Sequence, residues 1–159
     1  MNIQITTNVR HWLLLMVCLF SSLPSWADDY TKDGIIYSID ETAGTASVKG
    51  VESKSITTAN IESSVKGCKV TRIEDSAFGY CSSMTSINIP NTITYIGWHS
   101  FDRCSSLESL YIPTSVTTIS GDAFLGCHSI KSFSVSASNP NYSSQDMLLM
   151  NKSKTHLIF

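Results

Sequence analysis

A chain of 159 residues fits one domain, and 11 Lys and Arg against 13 Asp and Glu give a formal net charge of −2. Only 15% of residues are charged and both signs are scattered, so no basic stripe suits nucleic acid or an anionic membrane surface. Ser and Thr are abundant, but an apolar fraction of 42% set out in regular columns excludes a disordered chain.

In chain order, Arg10 and His11 precede the apolar run Trp12 to Phe20, and Ser25-Trp26-Ala27 places small residues where a leader is cleaved. That order predicts a secretory signal peptide over 1–27 rather than a core helix. The run is too short for a membrane span, which takes about 20 apolar residues. Val17 before Cys18 argues against lipid attachment at that cysteine. Arg10 is the only charged residue of the leader, so the remainder carries 10 basic and 13 acidic residues and has no membrane span.

Residues 28–66 lack a clear repeat. Ile35, Tyr37 and Ile39 alternate with Ile36, Ser38 and Asp40, and a second β-leaning run spans Ala46 to Val51. Turn residues lie between them, which predicts a β-hairpin that caps the first coil. Ile56 to Val65 reads as a degenerate first strand and a loop.

Residues 67–135 repeat with a period of 23. Phe78, Phe101 and Phe124 form one column, and Cys81, Cys104 and Cys127 another. Met84, Leu107 and Ile130 hold the same step, as do Ile87, Leu110 and Phe133, then Ile89, Ile112 and Val135. Val70, Ile93 and Val116, then Ile73, Ile96 and Ile119, complete the set. A fixed period within about 20–29 residues predicts a stacked-coil solenoid of leucine-rich-repeat type. Ser86–Pro90, Ser109–Pro113 and Ser132–Val135 alternate polar and apolar, as half-buried strands do, and proline ends the first two. Their outward residues, among them Ser86, Asn88, Ser109, Tyr111, Ser132 and Ser134, predict one continuous polar face. The segments ending in Phe78, Phe101 and Phe124 are long enough for a helical turn at most. The expected class is thus a β-rich α/β solenoid of three to four coils with an N-terminal β-hairpin cap.

In residues 136–159 the pattern changes: Asn139 takes the Ile93/Val116 column and a turn follows at Pro140. Met147 to Met150 and Thr155 to Phe159 read as two strands. The apolar run Leu157-Ile158-Phe159 is then an exposed terminal strand that either something covers or a longer array continues.

The unit Ile73…Ala77-Phe78…Cys81…Ile87-Asn88-Ile89-Pro90, repeated from Ile96 and Ile119, resembles the BspA-like class of bacterial leucine-rich repeats. The hairpin around Asp33 to Tyr37 resembles the lead-in of those proteins, and Asn139 to Phe159 an element between their repeat blocks. Ser100 before Phe101 and the Trp98-His99 pair depart modestly from the pattern. The resemblance implies a secreted or surface-exposed protein that adheres to host matrix or cell-surface proteins.

Chemistry beyond binding is sparse. Coils about 4.8 Å apart hold neighbouring Cβ atoms wider than the roughly 3.5–4.5 Å of a disulfide, so buried free thiols are expected at Cys81, Cys104 and Cys127. Cys68 has no column and reads as the more reactive thiol. A spacing of 23 does not match zinc sites, and no metal or cofactor is expected. His99 can be drawn beside Asp102 and Asp122 as a relay, but no nucleophile or phosphate-cradling motif accompanies it, and no enzyme is expected. The candidate partner-binding residues are Asn88, Ser109, Tyr111 and Ser134 on the strand face. Trp98 is added as either a loop anchor or cover for the coil edge. The competing reading is a structural repeat module that self-associates through Leu157–Phe159.

Overall fold

The computed structural model describes residues 28–159, so the leader read in residues 1–27 lies outside the described residues. Strands β1 (Asp28–Lys32), β2 (Ile35–Asp40) and β3 (Thr45–Val51) form an antiparallel meander. The alternation in β2 buries Ile35, Tyr37 and Ile39. Asp40 shapes the β2–β3 turn by accepting the Ala43 N–H at 2.9 Å. The sequence suggested two strands here. The third, β1, adds to the outer edge, and the inner strand β3 pairs in parallel with β6 (Cys68–Ile73), setting Val48 beside Ile73.

Beyond the meander the chain winds in coils, and most coils give one strand to each of two sheets. On one side β6, β8 (Tyr95–Ile96) and β10 (Thr118–Ile119) run parallel with Ile73, Ile96 and Ile119 in register. With the meander, and with β5 (Ser64–Val65) folded back on β6, they make a seven-stranded sheet. On the other side β4 (Thr58–Asn60) pairs with β7 (Ser86–Asn88), and β9 (Ser109–Ile112) with β11 (Ser132–Val135), all parallel. The polar face is therefore two two-stranded sheets rather than one continuous sheet. Proline explains part of the break. Ser136 donates its N–H to Ile112 O at 3.0 Å, whereas Pro113, one coil earlier, has no N–H to give.

No residue among those described is helical, which corrects the α/β expectation to a β-solenoid of about four turns. The reason lies in the third side of each coil, where alternate N–H groups point at the next coil. Ser76, Phe78 and Tyr80 donate to Trp98, Ser100 and Asp102 carbonyls at 2.9, 2.8 and 2.7 Å. Phe101 and Arg103 repeat this toward Ala123 and Leu125. Left-handed residues recur in two columns, Ser76/His99/Asp122 and Tyr80/Arg103/Gly126, and stop any helix from propagating.

One core runs through the stack. Phe78 and Phe101 lie parallel with ring centroids 5.4 Å apart, and Phe101 and Phe124 follow at 5.5 Å. Such offset stacking adds about 0.5–1.5 kcal/mol per pair beyond burial. Cys81, Cys104, Met84, Leu107 and the isoleucine columns fill the space around the rings, with Ile87 only half-buried.

The C-terminal element differs from its expected strands. β12 (Tyr142–Gln145) pairs with β13 (Leu148–Asn151), while Leu157 makes a single bridge to Met150. Asn139 is buried in an otherwise apolar column but fully bonded. Its Nδ2 donates to Pro113 O and Val116 O at 2.8 and 3.0 Å, and its Oδ1 accepts from Asn141 and Tyr142 N–H at 2.9 and 2.8 Å. The Tyr142 hydroxyl then accepts the Ile119 N–H at 2.7 Å. Of the last three residues only Leu157 is strongly exposed, because Phe159 packs on Phe133 and Phe124 at 5.2 and 6.3 Å.

Candidate recognition surface

Parallel register brings the strand-face residues together. Ser134 lies opposite Tyr111 and Ser132 opposite Ser109, with β7 in the adjoining coil carrying Asn88. Alternation explains the display: Leu110 and Ile112 point into the core, so Ser109 and Tyr111 must face out. Tyr111 is 51% exposed, a large amphipathic side chain among small polar ones. Glu108 and Lys131, just before β9 and β11, form an exposed ion pair at 3.1 Å that marks the rim.

Asn88 does not stand alone. Its Nδ2 donates to Asn60 Oδ1 at 2.7 Å, so β4 adds a fourth strand and a second asparagine to the face. Sequence reasoning missed Asn60 because it sits 28 residues before Asn88 rather than 23. The signal available was the outward Thr58-Ala59-Asn60 pattern, which matches Ser86-Ile87-Asn88.

Trp98 belongs elsewhere. It follows β8 on the opposite sheet, 51% exposed, with its indole on His99 at a centroid distance of 3.7 Å. Its N–H donates to Asp75 Oδ1 at 2.8 Å and its carbonyl accepts from Ser76, so its backbone holds the coil corner. His99 Nδ1 and Asp102 Oδ2 are 3.7 Å apart, too long for a hydrogen bond, and Asp122 is exposed.

The thiols are core groups. Cys104 and Cys127 Sγ donate to Phe78 O and Phe101 O at 3.2 and 3.0 Å, one coil back in each case. Burial pushes the Cys81 thiol up. Hydrogen bonding with Cys127, followed by burial, pushes Cys104 up well beyond the ordinary thiol range. Cys68, expected to be the more reactive thiol, is buried too, because β5 folds over β6 and the Asp40 carbonyl lies 4.0 Å from its sulfur. No cluster of three His, Cys, Asp or Glu side chains suited to a metal occurs among the described residues.

Comparison with known proteins agrees with this geometry. A leucine-rich repeat protein from Bacteroides capillosus superposes with a TM-score of 0.52 at 20% identity, covering 69% of this chain and 99% of that one. The pneumococcal vaccine antigen PcpA gives 0.53 at 15% identity over 86% of this chain, which spans 56% of that protein's length. These likenesses speak to the fold. A search of curated proteins returned no match. The model of the BspA type leucine rich repeat region matches residues 49–157 in six copies. With repeats, register and that match in agreement over well more than half its length, the chain belongs to the BspA-type leucine-rich repeat family.

Proposed function

We propose that this protein is a secreted or surface-exposed recognition module that adheres to host matrix or cell-surface proteins through its strand face. Tyr111 carries the reading: an exposed aromatic on a rigid strand, ringed by Ser109, Ser134 and the Asn60–Asn88 pair. A tyrosine anchor of this kind supplies contact area at low entropic cost. In this reading the meander caps the first coil, the leader over 1–27 directs export, and no residue works as a catalyst. Binding of the purified protein to immobilised fibronectin, fibrinogen and whole bacterial cells tests it. Saturable binding that the Tyr111→Ala, Asn88→Ala double variant loses supports the strand face. Unchanged binding moves the site to the loops, and no binding by a folded monomer refutes adhesion to these targets.

One observation favours a second reading, self-association. Leu125 and Met147 are exposed and line a cleft of about 370 Å³ that reaches Phe124, Ile158 and Phe159, and the neighbouring Leu157 is exposed as well. Light scattering tests it: an oligomer that Leu157→Asp dissolves supports the structural role, and a monomer at all concentrations removes it.

A further inference from the structure

The third side of the solenoid displays groups that the strand face does not use. Positions 80, 103 and 126 share one column, and all three have left-handed backbone, with φ of 65, 55 and 73°. Gly126 adopts that conformation freely, whereas Tyr80 and Arg103 hold it against the clash of their own Cβ atoms. Both side chains stand at the surface, Tyr80 being 58% exposed, and the Arg103 guanidinium lies over the Tyr80 ring at 5.3 Å. Arg103 also runs across Gly126, where an added Cβ would meet its Cγ at 3.0 Å. Together with Leu125, 51% exposed, these residues line an open cleft of about 620 Å³ with His128 beside it.

Charge indicates what the cleft would take. Arg72 pairs with Glu74 at 3.6 Å, but no carboxylate of the described residues lies within 4.0 Å of the Arg103 side-chain nitrogens. Asp102 contributes to the wall, yet it is only 5% exposed, and its Oδ2 faces His99 at 3.7 Å. The charge presented at the mouth is therefore that of Arg103. The guanidinium sits over the Tyr80 ring and its N–H groups bond no other described residue, so they are free to take a carboxylate through two parallel bonds. The exposed flanks of Tyr80 and Leu125 suit an apolar side chain next to that carboxylate. A cleft of this volume lies in the range of ligand sites, about 300–1,000 Å³.

We propose that this cleft binds an extended acidic peptide segment of a protein partner. Arg103 takes an Asp or Glu carboxylate, and an adjoining apolar side chain lies between Tyr80 and Leu125. The site is separate from the strand face and stands or falls independently of it.

Fluorescence anisotropy of the purified protein with a fluorescein-labelled peptide of alternating leucine and aspartate tests the proposal. Saturable binding is expected, at least about tenfold weaker for the leucine–asparagine counterpart and absent for leucine–lysine. Arg103→Gln should weaken it about tenfold, and Leu125→Ser should weaken it measurably, while Tyr111→Ala leaves it intact. Raising salt to about 0.5 M should weaken it as well. Arg103→Gly, which installs the residue the third coil already uses in this column, repeats the test with a residue that adopts the left-handed backbone freely. Absence of saturable binding to the aspartate peptide, equal binding of the asparagine peptide, or wild-type affinity in both Arg103 variants would overturn the assignment.

Discussion

Replacing Phe101 with alanine tests the register of the whole stack. The side chain is fully buried and lies between two parallel rings, Phe78 at 5.4 Å and Phe124 at 5.5 Å. Core Phe→Ala changes cost about 3–5 kcal/mol, and losing two stacked contacts places this one at the upper end. A chain of this size has a total stability of about 7–20 kcal/mol, so a loss of about 5 kcal/mol leaves the variant as little as about 2 kcal/mol if the stack started near the lower figure. Urea titration followed by far-ultraviolet circular dichroism measures the loss, and a thermal melt should fall by about 10–20 °C. Tyr111→Ala, at an exposed position, serves as the control and should stay within about 0.5 kcal/mol of the parent. A loss at Phe101 below about 1 kcal/mol would refute the central stack.

Asn139→Val would match the apolar column of the other coils, yet it removes a hydrogen-bond partner from two carbonyls and two N–H groups, of which the Pro113 carbonyl keeps the Val116 N–H at 3.3 Å. It should cost at least about 3 kcal/mol, and an unchanged or raised melting midpoint would contradict this. Gly97→Ala would bring a Cβ within 2.6 Å of Asp75 Oδ1 and 2.7 Å of the backbone, whereas a Cβ at Gly121 meets nothing within 4 Å. The first should cost about 1–3 kcal/mol and the second almost nothing in the same melts. Burial raises the Cys81 thiol, which keeps its proton in the folded state while unfolded thiols lose theirs near about pH 8.5. Its contribution is thus complete below about pH 8.5 and declines as pH rises toward the folded value. The urea midpoint of the parent should fall above about pH 8.5 relative to that of a Cys81→Ala variant, which should start lower.

The coils were legible because every apolar column repeats at the spacing that brings neighbouring coils into contact. Phe78, Phe101 and Phe124 could be placed against one another from arithmetic alone. The first coil escaped that arithmetic. Its β5–β6 hairpin around Lys66 and Gly67 lengthens the step from Asn60 to Asn88, so a partner in space was out of register in sequence. The C-terminal pairing was obscured differently: Tyr142–Gln145 has little apolar content, and its pairing is fixed by the Asn139 bonds that no local pattern announces. The cleft of Tyr80, Arg103 and Leu125 left no periodic trace, since its column holds three unlike residues that share only a backbone conformation. Alternation identifies the outward strand-face residues, and Trp98 reads as a loop anchor or cover for the coil edge, but nothing in the spacing places its turn beside β8, away from the strand face.

The bonds between coils run along the axis of the solenoid, and this decides how the molecule would answer a pull between its ends. Tension would open one coil at a time at the end of the stack, as a zip opens, while inner coils stay closed. Each released coil would exchange a rise of about 4.8 Å for 23 residues of extended chain, about 80 Å. A molecule anchored on one side and attached on the other would lengthen in steps of that size, a sawtooth visible in single-molecule stretching. The same 23-residue spacing that makes the fold readable would then act as a mechanical gauge, setting how much slack each failed coil gives before the next one bears load.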